Sequence, residues 1–302
     1  MKLTHILKLT KSIKKGPRPS SATRAPIQTI ADYYGVSVHL YADDTQLYLP
    51  FSLASPSFAQ DAVAKMEQCI RHISCWMIAN KLQLNEDKTE LLVISSPKQR
   101  HKVQVSSLLV NDTLVTASSS AKNLGVIFDQ ELNMKDHVTN ICKNTNFHLR
   151  QIGRIRKYLT RSSAKAIVHA LITSRLDNNN SLLYGLLDCE IKRLQRVQNN
   201  AARIVTRSKR REHITPVLRS LHWLPISSRI VFKILLLTFK AINGNAPSYL
   251  SALLVSYHPA LQLRSSDSGS LTVPKTKLAT YGDHTLQLST STSSCFTSCI
   301  NF

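Results

Sequence analysis

The chain has 302 residues, 43% of them hydrophobic, ordinary values for a folded protein and enough for two modest domains with their own cores. Its charge is not ordinary: 39 Lys and Arg against 18 Asp and Glu give +21, which predicts salt-dependent attraction to polyanions, nucleic acid first and an anionic membrane surface second. Six cysteines at 69, 75, 142, 189, 295 and 299 show no Cys-x-x-Cys pairing and no secretory leader accompanies them, which argues against a disulfide scaffold and for reduced thiols in the nucleus or cytoplasm. Cys295 and Cys299 lack neighbouring His or Cys partners for a metal site.

Residues 1–31 hold seven Lys or Arg and no acid, and read as a basic flexible leader. Leu3, Ile6, Leu7, Thr10 and Ile13 fall near one helical face, so a short amphipathic helix ahead of Gly16-Pro17 would suit nucleic acid, a membrane surface or organelle targeting. Val36, Val38 and Leu40 then alternate on one side of Asp43-Asp44, with Leu47 and Leu49 on the other, bounded by Gly35 and Pro50. This predicts a hairpin with two adjacent carboxylates at its tip. They repel each other, and burying them requires a compensating cation, usually a divalent metal; solvated, they make an ordinary Asp turn.

Helical spacing of Val63, Met66, Ile70, Ile73 and Met77 over 56–80 predicts a helix packed under the sheet. A turn at Asn85-Glu86-Asp87 should present Lys88 at the edge of that sheet, ahead of a strand from Leu91 to Ser95. Short strands are expected at 103–105, 108–110 and 124–126, where Gly125 permits close backbone approach. From Lys135 the periodicity is helical: 135–158, 164–175, 188–207, a helix opened by Pro225 and closed by Gly244, and a short one after Pro247. No apolar run is long enough to span a bilayer. At ~100° per residue, Lys192, Arg196, Arg203 and Arg207 share one stripe, opposite Leu194, Val197, Ala201 and Ile204, and Lys209-Arg210-Arg211 extends the charge. Such a stripe suits either solvent or a phosphate backbone. Ser/Thr-rich composition predicts disorder over 263–302.

Tyr41-Ala42-Asp43-Asp44, extended by Thr45-Gln46-Leu47-Tyr48, resembles the polymerase signature of reverse transcriptases of the non-LTR (LINE-type) retrotransposon branch. Lys81–Glu90 looks like the next palm motif of that family, and Asn123-Leu124-Gly125-Val126-Ile127-Phe128-Asp129 like its primer-grip hairpin. Ser174–Asp177, Arg193–Arg203 and Leu221–Pro225 are similar to it in order and spacing.

The resemblance implies an α+β fold: part of a palm over 32–130, an antiparallel hairpin sheet with a packed helix, then a helical thumb and extension over 131–262. The ancestral reaction it implies is RNA-templated transfer of deoxynucleotides to a DNA 3′ end, with RNA template, DNA primer and deoxynucleoside triphosphates as partners. Asp43 and Asp44 would ligate Mg²⁺, or Mn²⁺ in its place, in a two-metal site, and Lys88 would act as general acid. Tyr41 and Ala42 would line the nucleotide side, and Leu124-Gly125-Val126 would support the primer. The family also uses an Asp on a neighbouring strand, upstream. Only 42 residues precede Asp43, and the single acid among them is Asp32, so activity of this chain alone is not expected. The alternative is a non-catalytic nucleic-acid-binding protein that uses the basic helical half.

Overall fold

A computed structural model describes residues 5–15, 21–41, 44–52, 56–96, 99–103, 105–255 and 271–272. The fold is mixed α and β, and it divides into two compact units at His137/Val138, a few residues past the expected boundary.

In the first unit, β1 (His5–Lys15), β2 (Ser37–Tyr41), β3 (Asp44–Phe51), β4 (Gln83–Ile94), β5 (Ser107–Val110) and β6 (Thr113–Ser118) form one sheet in the order β2-β3-β1-β4-β6-β5. All neighbours run antiparallel except β4 and β6, which are parallel, so the sheet is mixed and not the purely antiparallel one expected. A separate hairpin joins β7 (Ser120–Asn123) to β8 (Val126–Asp129). Helices α1 (Ser21–Tyr33) and α2 (Pro56–Ala79) pack on the sheet, burying Ile27, Ala31, Met66, Ile70, Ile73 and Met77 against Val36, Leu47, Leu49 and Leu91.

Both helices end in the same way. After α1, Gly35 takes a left-handed φ of 67°, and the Val36 and Gly35 N–H groups donate to the carbonyls of Ala31 and Asp32. After α2, Lys81 takes that role at φ 59°, and Leu82 and Lys81 donate to Met77 and Ile78.

Three expectations are corrected here. Residues 1–31 are not simply a leader, because β1 inserts between β3 and β4 and α1 follows it. The Ile6–Ile13 stretch fits a period of two as well as one of 3.6, and a slot offering backbone partners on both sides decides for the strand. Residues 85–87 do not turn the chain: β4 runs through them, and the register against β1 jumps from Thr10↔Glu90 to Ser12↔Asn85. This is a bulge, closed by the Thr89 hydroxyl donating to the Asn85 carbonyl at 2.9 Å. Residues 124 and 125 are the β7–β8 turn and not strand, and Val103 and Val105 pack on the core outside any strand.

The second unit is helical throughout its described length, apart from a bridge at Leu271, where the Thr272 N–H donates to the Val255 carbonyl. Its helices are α3 (Lys135–Ile155, which begins in the first unit), α4 (Arg161–Val168), α5 (Ser174–Asp177), α6 (Asp188–Thr206), α7 (Ile214–Leu221), α8 (Ile226–Ile242) and α9 (Ser248–Ser251). Where one helix was expected over 164–175, a π-helical turn at His169–Thr173 separates α4 from α5. Helix α7 was not anticipated. Thr160 caps α4 by accepting the Ser163 N–H, and Gly244, at φ 69°, ends α8 as its position predicts. The tail expected to be disordered lies almost wholly outside the described residues.

Candidate functional site

Tyr41 and Asp44 are the last paired residues of the β2–β3 hairpin. Ala42 and Asp43 lie outside the described residues. Tyr41 is exposed, whereas Thr45, Gln46 and Leu47 are buried just behind the tip. The Tyr48 hydroxyl donates to Gln46 Oε1, and Gln46 Nε2 donates to Asn123 Oδ1. Burial raises the Tyr48 pKa, so the phenol stays protonated and available as that donor. Asn123 closes the second hairpin, whose Leu124 and Gly125 both have positive φ, 46° and 84°, the geometry of a type I′ turn. A second tie is the Lys122 N–H, which donates to Glu90 Oε2 of β4 at 2.9 Å. Tyr41, Asp44 and Leu124-Gly125-Val126 thus belong to one unit, their two hairpins joined by the Gln46–Asn123 hydrogen bond. A polar residue inside the Leu-rich β3 was the available signal for that residue.

The strand beside Asp44 is basic in sequence. The strand next to β3 is β1, which sets Ser12 opposite Asp44 and Lys11 opposite Thr45. Residues 5–15 contain four lysines and no acid. Among the described residues no group of three His, Cys, Asp or Glu side chains is placed to hold an ion. Of the two expected ligands only Asp44 is described, and Mg²⁺ or Mn²⁺ needs several oxygen ligands around each ion. Lys88 is exposed in the β4 bulge, in the same sheet as Asp44 but with β1 between the two strands, so their backbones are about 10 Å apart.

In the second unit, Lys192, Arg196 and Arg207 are exposed on α6, and Lys209, Arg210 and Arg211 continue the exposed charge beyond it. Leu194, Val197 and Ala201 are buried on the opposite side, as the periodicity predicts. Two members of the stripe also serve the fold. Arg203 is half-buried and donates to the Glu212 carbonyl, and Arg207, in the left-handed position ending α6, donates to the carbonyls of Arg156 and Lys157. Of the four acids between Val138 and Val255, Asp177 pairs with Arg229 at 2.8 Å and Glu190 with Arg193 at 2.6 Å, against 20 Lys and Arg in the same span. The unit's surface is therefore dominated by cations.

The segments 174–177, 193–203 and 221–225 meet in a polar lock. Gln195 Oε1 accepts the Ile226 N–H at the start of α8, and Gln195 Nε2 donates to Gln198 Oε1. Gln198 Nε2 donates to the Leu224 carbonyl, while Arg229 spans the Leu224 carbonyl and both Asp177 oxygens. Trp223 is buried, its ring centroid 5.4 Å from that of His169 in the π turn.

The chain matches no family model, no curated protein and no solved structure.

The sequence reading missed the roles of Gln195, Gln198 and Arg229, all of them internal. A glutamine three residues from another on the apolar side of a helix was the one visible sign. Among the described residues, no helix is long and apolar enough to cross a membrane.

Proposed function

We propose that this chain is part of a reverse transcriptase of the non-LTR retrotransposon type and acts, as it stands, by binding nucleic acid through its basic helical unit. The observation that carries this reading is the exposed stripe from Lys192 and Arg196 to Lys209-Arg210-Arg211 in a unit where 20 cations face four acids. Asp177 and Glu190 are engaged internally, which leaves most of those cations to attract phosphate.

The test is fluorescence anisotropy with a labelled oligonucleotide over a range of salt. Affinity should fall linearly with salt on logarithmic axes, and Lys192→Glu with Arg196→Glu should weaken binding about tenfold or more and flatten the slope. Asp44→Asn should leave it unchanged. Lys192 and Arg196 are chosen because, unlike Arg203 and Arg207, they do not hold backbone carbonyls in place. Binding that ignores salt, or that survives the double charge reversal, sinks the proposal.

A second reading, templated nucleotide transfer with Asp43 and Asp44 as metal ligands, is favoured by the Gln46–Asn123 tie between the signature hairpin and the β7–β8 hairpin. Its weakness is β1, a basic strand where that reaction needs a further carboxylate. Primer extension on an RNA template with Mg²⁺ or Mn²⁺, abolished by Asp44→Asn, would establish it.

A further inference from the structure

Two of the exposed aromatic side chains of the second unit share one helix and its extension. Phe147 is 56% exposed and Tyr158 76%, and both lie along α3 or its 3₁₀ extension Arg156–Tyr158. At ~100° per residue, Lys143, Phe147, Arg150 and Arg154 fall within about 60° of one another. All four are exposed. The opposite side of α3 is the buried one, with Val138, Ile141, Thr145, Leu149 and Ile152. From His137 to Leu176 the sequence carries eight Lys or Arg and no acid, so nothing within that stretch neutralises the stripe. Lys157 lies 4.8 Å from the Tyr158 ring centroid, which puts a cation against the aromatic at the stripe's end.

The far end of this helix is fastened to α6. Arg156 donates to the carbonyls of Ile204 and Val205 at 2.7 and 2.8 Å, and Arg207 donates back to the carbonyls of Arg156 and Lys157. This reciprocal clasp holds Arg154, Lys157 and Tyr158 beside the C-terminal end of α6, where Lys209-Arg210-Arg211 begins. Charge alone would suit any polyanion. Half-exposed rings interleaved with cations suit one whose bases are unstacked and free to lie on an aromatic face. A duplex keeps its bases stacked and offers the rings nothing.

We propose that the α3 face formed by Lys143, Phe147, Arg150, Arg154 and Tyr158 is a stacking platform for single-stranded nucleic acid, entered from the cationic end of α6. It rests on the nucleic-acid reading above and narrows it to a strand with accessible bases. Phe147 and Tyr158 are separated by about 16 Å along the helix, the length of a short single-stranded site. The rings take the bases, while Arg150 and Arg154 take the phosphates on either side.

The experiment uses the full chain and a labelled twelve-nucleotide oligothymidylate, with a duplex of equal length alongside. Phe147→Ala with Tyr158→Ala should weaken single-strand binding about tenfold or more, change duplex binding less than threefold and leave the salt slope as it was, because no charge is removed. Phe147→Trp should keep the affinity, and its added fluorescence should be quenched by the oligothymidylate as a base covers the ring. Both rings are outside the core, so the variants should melt like the parent. If the parent binds no nucleic acid, the broader reading fails. If it binds and Lys192→Glu with Arg196→Glu weakens it while the ring variants match the parent, only the platform fails. Phe147→Trp fluorescence that ignores the oligonucleotide but shifts to the blue with phosphatidylserine vesicles would also overturn the platform, in favour of a membrane surface.

Discussion

Replacing Gln198 with Ala should destabilise the helical unit while leaving its surface chemistry untouched. Gln198 is 2% exposed, receives a hydrogen bond from Gln195 and donates one to the Leu224 carbonyl. Two net hydrogen bonds at ~1 kcal/mol each and one buried methylene at ~0.8 kcal/mol would sum to nearly ~3 kcal/mol. The Leu224 carbonyl keeps its bond from Arg229, so the expected cost is about 2 kcal/mol. Gln198→Leu keeps the volume and should cost about 1 kcal/mol, because Gln195 Nε2 keeps its bond to Asn199 Oδ1 at 2.8 Å. The assay is urea unfolding followed by tryptophan fluorescence in a Trp76→Phe background, so that Trp223 alone reports, and it reports the second unit. The midpoint should fall with an unchanged slope. A cost under about 1 kcal/mol for Gln198→Ala would refute the lock as a source of stability. So would a large loss of oligonucleotide binding with stability intact, since that would make Gln198 a ligand contact.

Leu124 sits at φ 46° in a turn type that prefers Asn before Gly, so Leu124→Asn should raise the thermal stability of the first unit by about 1 kcal/mol, read as a shift in melting midpoint. Burial holds the His137 imidazole below the ordinary value of 6.5, and its Nδ1 accepts the Ile127 N–H. The unfolded chain therefore takes up a proton more readily. The first unit should be fully stable above about pH 6.5 and lose stability as pH falls through the lower folded value, with a slope that His137→Gln flattens in melts at pH 7.5 and 5.5. Among the described cysteines, Cys75 and Cys189 are exposed, Cys69 is buried, and Cys142 is half-buried with its thiol pKa raised chiefly by burial. Brief alkylation followed by peptide mass mapping should therefore modify Cys75 and Cys189 well before Cys69 and Cys142. Equal rates at all four would contradict that packing.

Elements whose sequence carries one dominant period were legible. The β2–β3 hairpin, helix 56–79 and the apolar side of α6 follow from Val36–Leu49, Met66–Met77 and Leu194–Ala201, because burial enforces the spacing at every turn or pleat. Stretches with two compatible periods were not legible. The Ile6–Ile13 segment became a strand because β3 and β4 offer it partners from 30 to 90 residues away, which no local window contains. Lys81 and His222 end helices in a conformation that glycine usually takes, so no punctuation marked those stops. The site shows the same division. The paired carboxylates and the α6 stripe were visible as residue types in a row. The Gln46–Asn123 tie, the bonds of Gln195 and Gln198 to Ile226 and Leu224, and the Arg156–Arg207 clasp join residues tens of positions apart and leave almost no local trace.

The placement of β1 also dictates an order of assembly. It comes first in the chain but lies in the middle of the sheet, with β3 on one side and β4 on the other. As the chain leaves the ribosome, β1, β2 and β3 can pair once residue 51 has emerged, but the second edge of β1 must wait for residues 83–94. At ordinary synthesis rates that delay lasts seconds, during which a lysine-bearing backbone edge faces solvent unpaired. Until β4 arrives, that open edge is the place where the first unit is most prone to pair with the wrong strand.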